Sequence, residues 1–498
     1  MVKINISILL ILTLLASCKS TDQKEPNLEN RYLEINKVRT AAEWEPALGT
    51  MIVWPLGIPY KLVVELAKEG KLFILVENEN TKAEAQRWLT QWGVDSQQVE
   101  FIYAPQGIDA WWVRDWGPSA VFYQDDVMKL ADGKYIYSTP ISGLACDDSL
   151  RFLYTNAKHQ IELTDTDDQA SQKFAEALHY KMVALPFVNT GGNVLTDGAG
   201  TAFSTCVLLN ENRYDGTDEQ EFIKHNAELL GLNNYHVISN FEEMGIQHID
   251  CFMKILDPER ILVARPPADH VLYPIYENIV ANELEKLVTP YGRPYNILRL
   301  DTYRYQGEDL AAYTNAIIIN KSVFVPLFNI PGDSMALKQW REAMPGYEVK
   351  GFTYSLAGEP VLDPKVKQHY KNYGWDEGDA LHCRTRAVWD DKMLYLSMRS
   401  IDSREGTTDG YPAYITINDY SRVGLVENEQ KIFWRIKGQS TWNEVLLKEE
   451  MHTHFTGSIP HAPKGETIEY YVSASSKSGR TETVPRTAPN GFYFFTAE

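Results

Sequence analysis

The sequence predicts a mixed α/β domain followed by a smaller all-β domain, and three observations support this division. From about residue 31 to 400, short apolar runs typical of strands alternate with stretches of helical periodicity. Beyond about residue 405, helical periodicity stops, and strand-like runs recur roughly every ten residues between glycine-containing turns. The total length of 498 residues suits two or three domains.

The elements of the α/β region follow from this periodicity. They are strands at 51–54, 72–76 and 261–264, two strand runs within 316–327, and helices at 60–69, 82–92, 275–288 and 334–344. No sequence period is regular enough to establish an internal repeat. In the C-terminal region the predicted strands cover 413–418, 431–436, 442–447, 451–456 and 466–474. Such short, closely spaced strands are typical of a small β-sandwich, here with a boundary near residue 407.

Composition and charge exclude several classes of protein. Hydrophobic residues make up 44% of the chain and charged residues 23%, unlike disordered, fibrous or polytopic membrane proteins. The chain has 48 Lys and Arg against 67 Asp and Glu, so its formal net charge is −19. We expect no nucleic-acid partner for so acidic a chain, whose field favours small cations. Five cysteines are too few for a scaffold held together by disulfides.

The first eighteen residues are predicted to be an export signal. Lys3 precedes an apolar run at 4–15, and the four residues LASC that end in Cys18 resemble a bacterial lipobox. An N-terminal anchor helix is disfavoured because the run is short for a membrane span. We therefore expect a lipoprotein signal peptide at 1–18, lipidation of Cys18 and a polar tether at 19–30. This predicts an exported protein, periplasmic or at the cell surface, attached to the envelope only through its lipid.

Four short segments carry polar groups in apolar or turn-forming surroundings. They read WWVRDWGP at 111–118, NTGGNVLTDG at 189–198, GIQHIDCF at 245–252 and EGDALHCRT at 377–385. Each alone is more often structural than functional, as an ion pair or a packed cysteine. Together they supply a thiol nucleophile, a histidine that can carry protons, two carboxylates that can bind guanidinium, and a tryptophan that can stack on it. The combination indicates chemistry on a planar cation.

These segments resemble the Porphyromonas-type peptidyl-arginine deiminases and the related agmatine deiminases of the guanidino-group-modifying superfamily. The matching pieces are WVRDWGP, TGGNVLTDG, HIDC, YTNAIIIN and DALHCRT, in order over roughly residues 45 to 390. The resemblance implies a five-bladed α/β propeller, the pentein fold, which we assign to residues 31–406. The C-terminal sandwich at 407–498 resembles the immunoglobulin-like domain of the secreted peptidyl-arginine branch.

The resemblance also implies a role for each catalytic residue. Cys383 would attack the guanidinium carbon while Asp115 and Asp250 hold its nitrogens. His248 would protonate the departing ammonia and then activate the water that hydrolyses the thiouronium adduct. Asn315 would orient the site near the cysteine.

Four further residues are predicted to contact the substrate. Trp112 would stack on the cation, Arg114 belongs to the same motif, and Gly192 and Asn193 would shape the floor of the site. No cofactor is implied, and no metal site is expected, because no His and Cys residues have ligand spacing.

The remaining cysteines have competing interpretations. Cys251 directly follows Asp250, so on a strand its side chain would point to the opposite face, towards the core. Cys206 has apolar neighbours and is predicted to be packing, whereas Cys146 lies in a loop and could be exposed. Cys383 is therefore the predicted nucleophile.

The substrate is less closely defined than the reaction. In the peptidyl-arginine branch a pair of arginines after the first aspartate motif grips the substrate carboxylate, but residues 121–150 contain no arginine here. We expect an exported hydrolase that converts arginine residues of peptides or proteins to citrulline and ammonia. Agmatine and free arginine remain open as substrates.

Two different classes of protein also fit parts of the pattern. A papain-like thiol hydrolase would use Cys383 and His248 to attack an amide. A non-enzymatic lipoprotein would use the sandwich to bind a glycan or a partner. Both interpretations leave the joint presence of two aspartates, a histidine and a cysteine in matching motifs unexplained, so we favour the deiminase.

Overall fold

The computed structural model describes residues 31–105, 111–136, 140–141, 143–146, 151–152, 165–243, 245–369 and 374–498. The predicted signal peptide, the predicted lipidation residue Cys18 and the tether lie outside the described residues. Among the helices of the ranges just given, none is both long and apolar enough to cross a bilayer.

The α/β part has five small sheets among its described residues, and all five are built alike. Each contains an antiparallel strand pair, a connection with at least one helix, and a strand parallel to its neighbour. In spatial order the strands are Arg39–Thr40, Ser119–Phe122, Met128–Lys134 and Met182–Val188; Leu195–Thr196, Thr201–Thr205 and Asn234–Ile238; Met253–Asp257, Arg260–Arg265 and Asn296–Asp301; Ile317–Ile319, Ser322–Leu327 and Glu348–Thr353; and Arg386–Trp389, Ala47–Val53, Lys71–Val76 and Val99–Tyr103.

Helices and short connections complete this part. Two further strand pairs join Arg304–Gln306 to Asp309–Leu310 and Pro140–Ile141 to Arg151–Phe152. The α-helices are Tyr60–Glu69, Glu79–Gln91, Val113–Trp116, Asp165–Ala177, Cys206–Tyr214, Glu219–Leu230, Ile249–Phe252, Tyr273–Asn282, Asp333–Ala343 and Pro364–His369. The 3-10 helices are Ser96–Gln98, Gly191–Asn193, Leu284–Lys286, Leu356–Gly358 and Ser403–Glu405.

The fourth sheet shows how the sequence forms one of these units. The strands Ile317–Ile319 and Ser322–Leu327 are rich in β-branched and apolar residues and are almost wholly buried. Asn320 makes the turn between them with a φ of 51°, a left-handed conformation that asparagine tolerates. Its side chain also donates to the carbonyl of Ala47, which ties the fourth sheet to the fifth.

The C-terminal part contains two antiparallel sheets. In spatial order the first has Leu394–Met398, Tyr411–Asp419, His454–Ile459 and Lys448–Met451, and the second has Asn443–Leu446, Lys431–Ile436, Thr467–Ser475 and Thr481–Val484, with Tyr493–Thr496 also paired to Thr467–Ser475. Alternate side chains such as Ala413, Ile415 and Ile417 point inward to a shared apolar core.

The predicted domain boundary needs a correction. Leu394–Met398 precedes residue 407 but pairs along its whole length with Tyr411–Asp419. The first strand of the sandwich therefore lies before the predicted boundary, because the turn-rich segment around 402–406 connects two strands of one sheet. The predicted strand at 451–456 is also wrong, because Thr453 adopts a φ of 67° and the chain turns there between two strands.

Two cysteines form a disulfide that the sequence did not predict. Cys146 and Cys206 are bonded across 60 positions of sequence, with their Cα atoms 4.8 Å apart. Cys206 is fully buried, as its predicted packing role requires, but it also carries this bond. Its apolar neighbours revealed burial, but they carried no information about the loop that approaches it.

Candidate active site

Five turns of the described chain carry the predicted catalytic residues. Each turn comes just before one strand of the antiparallel pair of a sheet, and together they are Val113–Trp116, Gly191–Asn193, Ile249–Phe252 and the turns at 311–315 and 381–385. Equivalent places in the five units thus supply Asp115, Asn193, Asp250, Asn315 and Cys383. This common position explains why five motifs recur along the chain.

Hydrogen bonds join these turns in a cycle. Each turn contacts the next, and the last contacts the first. The donor and acceptor pairs are Gly192 N to Asp115 Oδ1 at 3.1 Å, Ile249 N to Asn193 Oδ1 at 3.1 Å, Thr314 Oγ1 to Cys251 O at 2.7 Å, His382 N to Asn315 O at 3.1 Å and Arg114 N to Cys383 O at 3.0 Å. Residues that are far apart in sequence therefore meet at one place.

The predicted nucleophile lies in this ring. Cys383 is only 1% exposed, and its Sγ accepts a hydrogen bond from Asn315 Nδ2 at 3.2 Å. The same sulfur is 3.7 Å from Asp250 Oδ2 and 4.0 Å from the carbonyl oxygen of Gly378. Asn315 also accepts from the backbone N–H of His382 at 2.9 Å, so its amide orients the turn that carries the cysteine.

The two aspartates and His248 face the same point. A Cβ atom added to Gly192 would stand 2.5 Å from Asp115 Oδ1, 2.9 Å from His248 Nδ1 and 3.3 Å from Asp250 Oδ2. Glycine at 192 is required because any side chain would collide with these groups. Asn193 lies behind it, fully buried, and its side chain bonds Thr205 and the backbone of the following turn.

Burial and neighbouring charges shift the pKa values of the two aspartates in opposite directions. Burial, together with the negative charges of Asp250 and Asp379, raises the pKa of Asp115 well above its usual value. Burial acts in the same direction on Asp250, but the hydrogen bond and charge of His382 outweigh it and lower its pKa below the usual value. Ionisation is therefore favoured at Asp250 and disfavoured at Asp115, and a cation between them would favour it at both.

The surroundings favour the neutral forms of the His248 imidazole and the Cys383 thiol. Burial lowers the pKa of His248 to about 4, and its Nδ1 has no hydrogen-bond partner although Asp115 Oδ1 lies 3.6 Å away. The hydrogen bond from Cys251 acts to lower the pKa of Cys383, but burial and the charges of the nearby aspartates raise it to about 12. A positive charge at the centre of the ring would therefore stabilise the thiolate.

His382 and Glu43 are part of the site but were not predicted from the sequence. His382 Nδ1 lies 2.6 Å from Asp250 Oδ2, and its Nε2 contacts the carboxylate of Glu43. Glu43 is held in turn by Lys254 Nζ at 3.2 Å and by Arg114 Nη2 at 3.3 Å. The position of His382 beside Cys383 in its motif was a usable signal, whereas Glu43 had none.

The residues predicted to touch substrate have other contacts here. Besides Glu43, the Arg114 guanidinium reaches the carbonyl of His382 at 3.3 Å, so its contacts favour a structural role. Trp112 is half-buried and donates from its indole to Asp379 Oδ2 at 2.5 Å. The roles assigned to both from the sequence remain predictions.

Cys251 was predicted to point to the face opposite Asp250, but its side chain lies beside the catalytic residues. Ile249–Phe252 is a single helical turn and not a strand, so neighbouring side chains do not alternate between two faces. Cys251 Sγ lies 3.6 Å from Asp250 Oδ1 and 3.5 Å from Asn315 Nδ2. It is therefore a neighbour of the catalytic cluster.

Acidic side chains lie close to one another around Glu377, which is next to Gly378 near the nucleophile. Gly378 packs closely against Ile246, since a Cβ atom added to Gly378 would lie 3.0 Å from Ile246 Cγ2. Burial and the charge of Glu377 raise the pKa of Glu242 to about 8, with Asp376 and Asp309 adding to the repulsion. Burial and the charge of Asp379 raise the pKa of Asp376 to about 7. This acidic cluster, consisting of Glu242, Asp309, Asp376 and Glu377, favours a cationic ligand over an anionic one.

Known proteins are similar to this chain in sequence and in fold. A protein of Mycoplasma mycoides subsp. mycoides, whose name assigns it provisionally as an agmatine deiminase, is 22% identical over 343 residues that cover 62% of this chain and 88% of its own. The solved agmatine deiminase of Enterococcus faecalis is similar in fold, with a TM-score of 0.54 and 19% identity over 71% of this chain and 96% of its own.

A third relative comes from Porphyromonas gingivalis. A solved structure from this organism, named provisionally as an arginine deiminase, matches with a TM-score of 0.52 and 21% identity over 71% of this chain and 99% of its own. Residues 39–356 match the sequence profile of the family described as Porphyromonas-type peptidyl-arginine deiminase, a range that ends before Cys383. The chain therefore belongs to the Porphyromonas-type peptidyl-arginine deiminase family, whose members are hydrolases acting on guanidino groups.

Proposed function

We propose that the protein deiminates the guanidinium group of arginine residues in peptides or proteins. The observation that carries the proposal is the convergence of Asp115, His248 and Asp250 on Gly192, with Cys383 Sγ 3.7 Å from Asp250. Two carboxylates around a space that only a glycine leaves open suit a flat cation with paired N–H donors. A papain-like hydrolase has no use for the second carboxylate.

The reaction begins with charge compensation. The guanidinium enters between Asp115 and Asp250 and brings a positive charge that both carboxylates can share. Its presence favours ionisation of Asp115 and transfer of the Cys383 proton to His248. The thiolate then attacks the guanidinium carbon, and the electrons of one C–N double bond move to nitrogen to give a tetrahedral adduct.

The second half of the reaction releases the products. His248, now protonated, gives its proton to an amino group of the adduct, and ammonia leaves with the electrons of its C–N bond. The remaining thiouronium is attacked by water, whose proton passes to His248. Collapse of this adduct breaks the C–S bond, frees Cys383 and leaves a ureido group, which in a peptide is citrulline.

The acidic cluster narrows the choice of substrate. The acidic cluster would disfavour the α-carboxylate of free arginine or of a C-terminal arginine, because a further negative charge opposes the ionisation that burial already opposes in Glu242 and Asp376. An internal arginine residue has no free α-carboxylate, and agmatine has no carboxylate at all. Agmatine is the second candidate, because its distal ammonium would be attracted to the acidic cluster formed by Glu242, Asp309, Asp376 and Glu377.

Features outside the site support the peptide version. The proposal includes export, lipid attachment through Cys18, an immunoglobulin-like sandwich and closure of the five sheets into a propeller around the ring of turns. The Cys146–Cys206 disulfide supports export, because disulfides persist mainly in oxidising compartments. The cyclic hydrogen bonds between the turns support the propeller.

A panel of guanidines tests the proposal. The purified protein is incubated with a blocked peptide containing an internal arginine, the same peptide ending in a free arginine, agmatine and free arginine. We expect citrulline from the internal-arginine peptide, little product from the two substrates with a free carboxylate, and none from the Cys383→Ala variant. Turnover of agmatine alone would replace the peptide version with the second candidate, and the absence of ammonia from all four would reject deimination.

A further inference from the structure

A second free thiol lies beside the nucleophile and has no part in the mechanism above. Asn315 Nδ2 is 3.2 Å from Cys383 Sγ and 3.5 Å from Cys251 Sγ, so one amide donor contacts both sulfurs. The carboxylate of Asp250 is shared as well, with Oδ2 3.7 Å from Cys383 Sγ and Oδ1 3.6 Å from Cys251 Sγ. The two thiols are within hydrogen-bond reach of each other.

Cys251 borders a small cavity on the side of the acidic cluster. It is 6% exposed and lines a cavity of about 20 Å³ together with Glu242 and Glu377. Glu377 is next to Gly378, whose carbonyl oxygen lies 4.0 Å from Cys383 Sγ. Because a cavity of this size holds about one water molecule, a disulfide reagent has to approach Cys383 along the path that a guanidinium substrate uses.

The other described cysteines indicate the chemistry such a pair would meet. Cys146 and Cys206 form a disulfide, whereas Cys251 and Cys383 are free. A chain that carries one disulfide is suited to surroundings in which thiols are oxidised. In such surroundings an isolated nucleophilic cysteine would accumulate mixed disulfides or be oxidised irreversibly.

We propose that Cys251 and Cys383 are a reversible thiol-modification site, at which a low-molecular-weight disulfide converts the pair to an intramolecular disulfide. Cys251 acts as the resolving thiol for the nucleophile. The effect on activity rests on the proposed function, but the covalent chemistry does not.

The reaction balances in two exchange steps. The Cys383 thiolate attacks one sulfur of the reagent, forming a mixed disulfide and releasing one small thiolate. The Cys251 thiolate then attacks Cys383 Sγ, forming the Cys251–Cys383 bond and releasing the second small thiolate. The two protein thiols lose their protons and are oxidised, and the reagent disulfide is reduced to two thiols.

The product cannot catalyse deimination because the attacking sulfur is used in the S–S bond. A reducing thiol reverses the two steps and restores the free cysteine. Because the pKa of Cys383 is raised to about 12, the first step becomes faster as the pH rises towards that value.

Peptide mapping by mass spectrometry tests the proposal. The full chain is treated at about pH 9 with cystamine, a small disulfide without carboxylates, free thiols are then alkylated under denaturing conditions, and the digest is analysed. For the wild type we expect a peptide with Cys251 linked to Cys383. Activity should fall at least ~10-fold and return with dithiothreitol. Cys251→Ser should instead give cysteamine attached to Cys383, a result that the mapping detects whatever activity the variant has.

Two results would overturn the proposal. One is a wild-type protein that stops at the cysteamine adduct of Cys383, as the Cys251→Ser variant is expected to do. The other is a protein whose two thiols both remain free after treatment. Because the mapping does not depend on turnover, a linked peptide in a protein without deiminase activity would reject the proposed function and leave the thiol proposal standing.

Discussion

The centre of the α/β part and the interior of the sandwich are both buried, but they contain different kinds of side chain. Between the five turns, Asp250 is 0% exposed and lies among His248, His382 and Lys254, all of them buried. The sandwich core consists mainly of apolar and aromatic residues such as Ile415 and Val472. Ion pairs of the sandwich, such as Lys431 with Glu444, lie near its surface.

This difference separates groups that serve stability from groups that serve chemistry. Burying a charge costs free energy unless partners compensate it, and an apolar replacement is often equally stable or more so. The core of the sandwich consists mainly of apolar and aromatic side chains and so avoids this cost. The centre of the α/β part keeps charged residues that a purely structural core would not need, which marks it as the functional region.

The largest expected effect comes from removing the nucleophile. Cys383→Ala should lower kcat by about 10⁴-fold or more, because the covalent step has no other thiol in the same position. Ammonia release measures the loss, and circular dichroism checks the fold. Substantial residual turnover would mean that Cys251 or water can take over the attack.

Removing the charge of Asp250, one of the two aspartates that hold the guanidinium, should lower activity nearly as much. Asp250→Asn is expected to lower kcat/KM by about 10³-fold, because the cation loses a charged partner and Cys383 loses its neighbour 3.7 Å away. A matched change on the sandwich surface, Glu444→Gln, should leave kcat/KM unaltered. Equal effects of the two would contradict the division between the regions.

Removing His382 should have a smaller effect and alter the pH dependence. His382→Asn is expected to lower kcat about 10- to 100-fold through misplacement of Asp250. Because His382 lowers the pKa of Asp250, its loss raises that pKa, and the acid limb of the kcat/KM profile should move to higher pH. A loss of activity with an unshifted profile would make His382 merely structural.

A buried acid outside the ring offers a stability test. Burial raises the pKa of Glu211 to about 8, and its Oε2 has no hydrogen-bond partner. The folded state holds the proton more tightly than the unfolded state. The contribution of Glu211 to the free energy of unfolding is therefore greatest below its ordinary pKa of 4.5. It falls by roughly 1.4 kcal/mol per pH unit as the pH rises to about 8.

The substitution Glu211→Gln removes this titration. We expect the free energy of unfolding of the variant, measured by urea denaturation, to exceed that of the wild type increasingly between about pH 5 and 8. Parallel pH profiles for the two proteins would show that Glu211 does not carry its proton in the folded state.

The smallest effect is expected on the sandwich surface. Phe494 is 71% exposed on a strand at the C-terminus, so Phe494→Thr should change the free energy of unfolding by less than about 0.5 kcal/mol. Thermal unfolding and ammonia release both measure the outcome. A large loss of activity would show that this surface takes part in substrate binding.

Much of the site could be predicted from the sequence because the reactive residues stand in short motifs. The ring of turns and the residues directly beside it contain all five predicted catalytic residues, namely Asp115, His248, Asp250, Asn315 and Cys383. The helix at 60–69 and the strand at 431–436 have their predicted bounds, because local periodicity determines such elements. The orientation of Cys251 was missed because four residues carry no reliable signal for a single helical turn.

The sequence by itself determined which side chains are available and what each can do, since reactivity belongs to the residue type and its immediate neighbours. Only the tertiary structure decided that Glu43 supports His382, that Cys251 stands beside Cys383 and that Cys146 reaches Cys206. The physical reason is distance along the chain. Contacts between residues far apart in sequence depend on how whole sheets pack, and no local pattern of residues encodes that packing.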